Sequence, residues 1–299
     1  MTDITLSTAT RTNLLSLQRT TGLIGRTQER LATGLKVNSA IDDALAFFKA
    51  RNLNSRASDL QTIKDGITDG INIIRSTVQG LDAMEQTLKQ MKALAQSAIS
   101  TPQSSSRAKL ASQFNELRSQ VDNLAEDSSF NGINLLKNTT TPFVAGGDTL
   151  TVKFNERTEN IAINQLIITG VAVTDFATMV ATSALATGAF VPAGSPVWGV
   201  TGPAAISAIS AQIRAVDSAL LTVRQVAQEL GTNSALLEIR RSFTEDIINT
   251  LKGGADALVN ADLNEESANL LSLQTRQQLG TISLSIAQQS EQAVLRLFN

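Results

Sequence analysis

An apolar repeat that runs on without a stop constrains this chain more than anything else in it. Leu60, Ile63, Ile67, Ile71, Ile74, Val78, Leu81, Met84, Leu88, Met91, Ala95 and Ala98 follow one another at steps of three and four residues. That spacing keeps one set of side chains on one side of an α-helix. As a single helix, residues 44–98 would extend about 80 Å at 1.5 Å per residue, too far for a compact domain of this mass. The expected fold is therefore mainly α: a rod of long antiparallel helices, coiled coil or bundle. Gly66, Gly70 and Gly80 fall inside the repeat, where glycine marks close helix approach.

The same spacing recurs elsewhere. Leu14, Leu17, Thr21, Ile24, Gln28, Leu31 and Leu35 predict a first helix ending near Gly34, the residue type that most easily takes a left-handed cap conformation. After a short connector, Asp42 and Asp43 open the long helix as caps, since no base or metal ligand lies near them in sequence. A break at Thr101–Ser106, containing Pro102, leads to a third helix striped by Leu110, Phe114, Leu117, Val121 and Leu124. After Pro203, the positions Ile206, Ile209, Ile213, Val216, Leu220, Val223, Ala227 and Leu230 predict another long helix. It continues through Ile239, Phe243, Ile247 and Leu251 to a hinge at Gly253-Gly254.

Residues 138–203 read differently. Leu150, Val152 and Phe154 alternate with polar residues, as do Ile161 and Ile163, and turn-rich runs surround them, so this part is expected to be a small β-rich, surface-exposed insert with a hairpin. Asn138-Thr139-Thr140 has the form of an N-glycosylation acceptor, a weak signal in a Thr-rich loop.

The last helix, opened by Asp262 with Glu265 as a capping box, carries two seams rather than one. Ala268, Leu271, Thr275, Leu279, Ile282, Ile286, Gln289, Ala293 and Leu297 form the first; Leu270, Leu273, Gln277, Gly280, Leu284, Ala287, Glu291, Val294 and Phe298 form the second. From Gln277 to Ser290 there is no charge, yet the stretch is too polar to span a membrane. Two seams call for partners on two sides. Burial against one partner alone does not offset the entropy of ordering so long a segment, so the chain end is expected to be poorly ordered in isolation and to order on assembly. The terminal helices are expected to pair with each other.

Composition closes off other functions. The chain has no Cys, His or Tyr. It therefore lacks a thiol nucleophile, an imidazole base and the usual zinc ligands, and no enzyme, cofactor, metal or small-molecule ligand is expected. In the insert only Asp148, Glu156, Glu159 and Asp175 are acidic, without the helical pairing that acid–base chemistry would use. A net charge of -2 with interspersed signs offers nothing to nucleic acid. No run of about 18 apolar residues suggests a membrane partner, and the N-terminus lacks a standard secretory signal.

Four motifs then carry a resemblance. Arg30-Leu-Ala-Thr-Gly-Leu-Lys-Val-Asn-Ser-Ala-Ile-Asp-Asp-Ala44, Phe130-Asn131-Gly132 leading to Leu135-Leu136, Ala261-Asp-Leu-Asn-Glu-Glu-Ser267 and Gln274-Thr-Arg-Gln-Gln-Leu-Gly280 are together similar to bacterial flagellin, over about residues 1–137 and 204–299. The resemblance implies an inner terminal coiled-coil domain (1–39 with 258–299), a helical-bundle core domain (40–137 with 204–257) and a reduced outer region (138–203). It implies a self-polymerising subunit of the extracellular flagellar filament, the propeller for swimming. It also implies export as an unfolded chain by the flagellar type III apparatus with its chaperone, and contacts with the filament cap and hook-associated proteins. The hook–filament junction protein of the same superfamily is the alternative. In this reading Leu14, Leu17, Ile24, Leu31, Leu35, Leu271, Leu279, Ile282, Ile286 and Phe298 serve self-assembly. A patch at Leu88, Gln90 and Leu94 matches the stretch gripped by an innate-immune Toll-like receptor, with Gln90 standing where recognised flagellins carry Arg. Gln supplies neither the charge nor the fork of donors.

Overall fold

The computed structural model describes residues 8–137, 148–156, 164–170, 198 and 203–297. Among these are α1 (Thr8–Thr33), α2 (Ala44–Ser100), α3 (Ser104–Asp127), β1 (Thr149–Lys153), β2 (Gln165–Thr169), α4 (Pro203–Val259) and α5 (Leu263–Leu297). The chain divides into two compact units, a terminal one of residues 1–58 and 249–299 and a central one of residues 59–248.

Local chemistry sets the helix ends. Gly34 takes φ +72° and its amide donates to the Arg30 carbonyl, closing α1. Of the carboxylate pair, Asp43 caps the long helix, whereas Asp42 was expected to cap it too but instead ties down the connector before it. Asp43 Oδ1 accepts from the Ala46 amide at 3.0 Å, and Asp42 Oδ2 accepts from the amides of Asn38 and Ser39 and from the Ser39 hydroxyl. The Ser39 hydroxyl, followed by the backbone amides, holds the Asp42 pKa below its ordinary value. Pro203 stands first in α4, where a missing N–H costs nothing, and Asp262 Oδ1 accepts from the Asn264 and Glu265 amides to start α5. Gly253 and Gly254 lie inside α4 and do not make a hinge. A side chain at Gly254 would meet Leu53 at 3.7 Å, so that glycine lies close against α2, and the chain turns instead at Asn260–Asp262.

The core of the central unit follows the α2 repeat: Ile67, Ile71, Ile74, Leu81, Met84, Leu88, Met91, Ala95 and Ala98 are all buried. Facing it are Ala111, Phe114, Val121 and Ala125 of α3, and from α4 Ile209, Val216, Val223, Leu230 and Leu237. The α4 residues recur every seventh place, and that line continues inward to Thr244. Ile206, Ile239 and Phe243 were expected inward but lie off the line and are exposed. Some 18-residue stretch of α4 is apolar enough by length and composition to cross a membrane, yet the helix's seven-residue line is core.

β1 and β2 pair antiparallel, with Leu150 opposite Ile168 and Val152 opposite Leu166. The second strand is Gln165–Thr169; Ile161 and Ile163, like Asn138–Thr140, Val191–Pro196, Glu159 and Asp175, lie outside the described residues. Leu150, Val152, Ile168 and Trp198 are buried within the helical core, so the described part of the insert is not wholly surface. Alternation puts one strand face inward, and that face packs on the helical core. Asn134 ties the hairpin on: its side-chain amide donates to the Ala125 and Glu126 carbonyls, its Oδ1 accepts from the Leu136 and Lys137 amides, and its backbone exchanges hydrogen bonds with Asp148. Asn131 and Gly132, at φ 50° and 78°, form the two-residue turn that brings Phe130 to Ile133.

Candidate assembly surfaces

The terminal unit brings α1 and α5 together antiparallel. At the end where α1 stops, the Lys36 amide donates to the Val259 carbonyl at 2.7 Å and the Ala261 amide to Gly34 at 2.9 Å. One turn in, Arg30 Nη1 donates to Glu266 Oε1 at 2.8 Å, with the Glu266 side chain 10% exposed. A charge so enclosed persists because it is paired. Further along, Asn13 Nδ2 reaches Ser283 Oγ at 3.5 Å. A side chain at Gly280 would meet Leu17 at 2.8 Å, so the absence of a Cβ there lets the two helices close.

The two seams of α5 separate cleanly. Leu270, Leu273, Gln277, Gly280, Leu284 and Ala287 are half-buried on the side turned to α1. The other seam is open: Leu271, Leu279, Ile282 and Ile286 are 66%, 62%, 56% and 61% exposed. On α1 the inward positions include Asn13, Leu17, Thr20, Ile24, Thr27 and Leu31, which differ from the expected line at every second place. Leu17, Ile24 and Leu31 belong to both lines, whereas Thr20 and Thr27 replace Thr21 and Gln28. Leu14 is exposed with Leu15 and Leu23, and Leu35 is half-buried where it bridges to Asn260. Phe298 lies outside the described residues. Both terminal helices are formed, over Thr8–Thr33 and Leu263–Leu297. On α5 one seam is half-buried and the second is left bare, with four large apolar side chains each more than half exposed.

The expected receptor patch does not present itself as a unit. Leu88 is 1% exposed, deep in the core, Leu94 is half-buried and of the three only Gln90 is exposed. Leu88 belongs to the three–four repeat, and its turn of α2 is held against α4 by Glu85, whose Oε1 accepts from Arg224 at 2.8 Å. The Arg224 guanidinium, followed by Lys89, holds the Glu85 carboxyl below its ordinary pKa. Among the described residues no group of three or more acidic side chains is arranged to hold a metal.

A family model described as the bacterial flagellin N-terminal helical region matches residues 4–141, and one for the C-terminal helical region matches residues 213–298. The chain belongs to the bacterial flagellin family. Flagellin FljM of Caulobacter vibrioides is 32% identical over 289 residues, covering 95% of this chain and 94% of that protein. The flagellin of Brucella melitensis is 25% identical over 298 residues, 100% of this chain and 99% of its own length. A solved structure titled a putative flagellar hook-associated protein from Vibrio parahaemolyticus covers 72% of this chain and 99% of its own at TM-score 0.56 and 14% identity, a likeness of fold alone. Both matched flagellin regions contain residues expected to serve self-assembly. The exposed seam of α5 lies wholly within the C-terminal one.

Proposed function

We propose that this flagellin is the structural subunit of the bacterial flagellar filament and acts by self-polymerisation rather than by catalysis. The observation that carries the proposal is the bare seam Leu271, Leu279, Ile282 and Ile286 on a helix whose opposite seam is already engaged by α1. Apolar area of that extent needs covering, and head-to-tail contacts between copies that do not close on themselves produce a helical polymer. In this reading residues 1–39 and 258–299 form the inner part of the filament, residues 40–137 and 204–257 the bundle around it, and 138–203 the outward part. Leu14, Leu17, Ile24, Leu31, Leu35 and Phe298 contribute to the inner contacts. The subunit reaches the filament tip through the flagellar type III export apparatus with a chaperone, beneath a cap and beyond hook-associated proteins, and so is secreted. Gln90 in place of Arg and the burial of Leu88 argue for weak engagement of an innate-immune receptor.

The test is polymerisation of the purified chain. Depolymerised subunit mixed with short seeds of itself should elongate into long filaments under the electron microscope. Closed oligomers, or growth only on ends made of other proteins, would instead favour a junction protein.

A further inference from the structure

Beside the Gly34–Ala261 backbone pairing the terminal unit has an open groove of about 530 Å³, its apolar floor made by Leu35, Val37, Phe47 and Val259 and its rim by Asn54 and Ser55, with Arg51 the single charged lining residue. We infer that this groove receives the Leu279–Ile282–Ile286 face of α5 from a second copy of the chain. The inference rests on the filament reading above and names one of its contacts.

Three observations select that occupant. Leu279, Ile282 and Ile286 stand at i, i+3 and i+7, the spacing with which a helix lays anchors into an apolar groove, and each is more than half exposed. Their neighbours from Gln277 to Ser290 are Gln, Ser, Thr, Gly, Leu and Ala without a charge, which suits a rim of amide and hydroxyl groups where any charge beyond a single partner for Arg51 would be desolvated without compensation. Another exposed i, i+3, i+7 set among the described residues, Leu236, Ile239 and Phe243 on α4, is flanked by Glu238, Arg240, Arg241 and Glu245, and would bring two arginines and a second carboxylate to a groove with one charge, Arg51. Nor can the chain fill its own groove. Val259 is a wall of the groove and α5 departs at Leu263, so Leu279 lies about 24 Å along the same helix. Groove and seam are thus the two halves of one heterologous contact, the kind that propagates.

The absence of cysteine makes the test clean. Ser55, exposed on the rim, is replaced by Cys and labelled with a benzophenone maleimide. The labelled Ser55→Cys chain is mixed as a minor component with wild-type chain and assembled, filaments are confirmed by electron microscopy, and the sample is irradiated and mapped by mass spectrometry. Intermolecular adducts within residues 277–290 should dominate. Good filaments whose adducts fall elsewhere, on the Leu236–Phe243 stripe or on nothing, overturn the groove assignment and leave the filament reading standing. Failure of the wild-type chain to form filaments removes the filament reading itself.

Discussion

Ile282→Asp separates assembly from folding. Ile282 is 56% exposed in the single chain, so the substitution should leave subunit stability within about 0.5 kcal/mol, as for other surface positions. Enclosure by neighbouring copies changes this. Covering the open half of an isoleucine is worth about 1–2 kcal/mol, which Asp forfeits. The carboxylate must also find a partner or take up a proton, and protonating an ordinary Asp at pH 7 costs about 4 kcal/mol. Together these give about 5–6 kcal/mol per subunit, near four orders of magnitude in critical concentration. Sedimentation of filaments against subunit concentration measures that quantity, and circular dichroism of the monomer checks folding. Ile282→Asn, with no proton to take up, should lose less, and the Asp variant should approach it as pH falls to about 4. A critical concentration within a factor of about two of wild type would mean that Ile282 faces solvent in the filament, because so small a change is worth under about 0.5 kcal/mol. An unfolded mutant monomer would mean that it packs inside its own subunit.

Four further outcomes concern the central unit. Gly80→Ala would drive a Cβ into the buried Ser128 hydroxyl and should destabilise by about 1–3 kcal/mol in urea unfolding. Gly66→Ala, on an exposed turn of the same helix with open space around it, should instead stabilise by about 0.5–1 kcal/mol. Leu150→Ala should cost about 2–5 kcal/mol, since Leu150 is core and not decoration; a change near zero would return the hairpin to the surface. Asp122→Asn should stabilise at neutral pH. Burial raises the Asp122 pKa against the opposing pull of Arg118 and Lys137, so the folded state binds its proton more tightly and loses stability as pH rises from the ordinary value of 3.8 through the raised one. The gain from Asn should therefore vanish in thermal melts below that window.

Helix positions were legible in the sequence because the three–four repeat is long and its ends are punctuated: Gly34, Asp43, Pro203 and Asp262 each stand where a helix starts or stops. Which flank of a stripe turns inward was less legible. On α1 the repeat is met equally by Leu14-Thr21-Gln28 and by Asn13-Thr20-Thr27 alongside the shared Leu17, Ile24 and Leu31, and only the partner helix chooses between them. On α4 the seven-residue line ends in Thr244, a polar residue that pattern reading passes over in favour of Phe243. The hairpin's role was hidden for a related reason: alternation shows that one face is apolar, not what covers it. The Arg30–Glu266 pair is 236 residues apart in sequence, and nothing in charge order alone joins those two.

The central claim is that the open seam of α5 exists to be covered by other copies of the same chain. A helical reconstruction by electron cryomicroscopy of filaments grown from the purified chain tests it directly. It should show Leu271, Leu279, Ile282 and Ile286 each within about 4.5 Å of apolar atoms of a neighbouring subunit. Filaments in which those four side chains face water would contradict it.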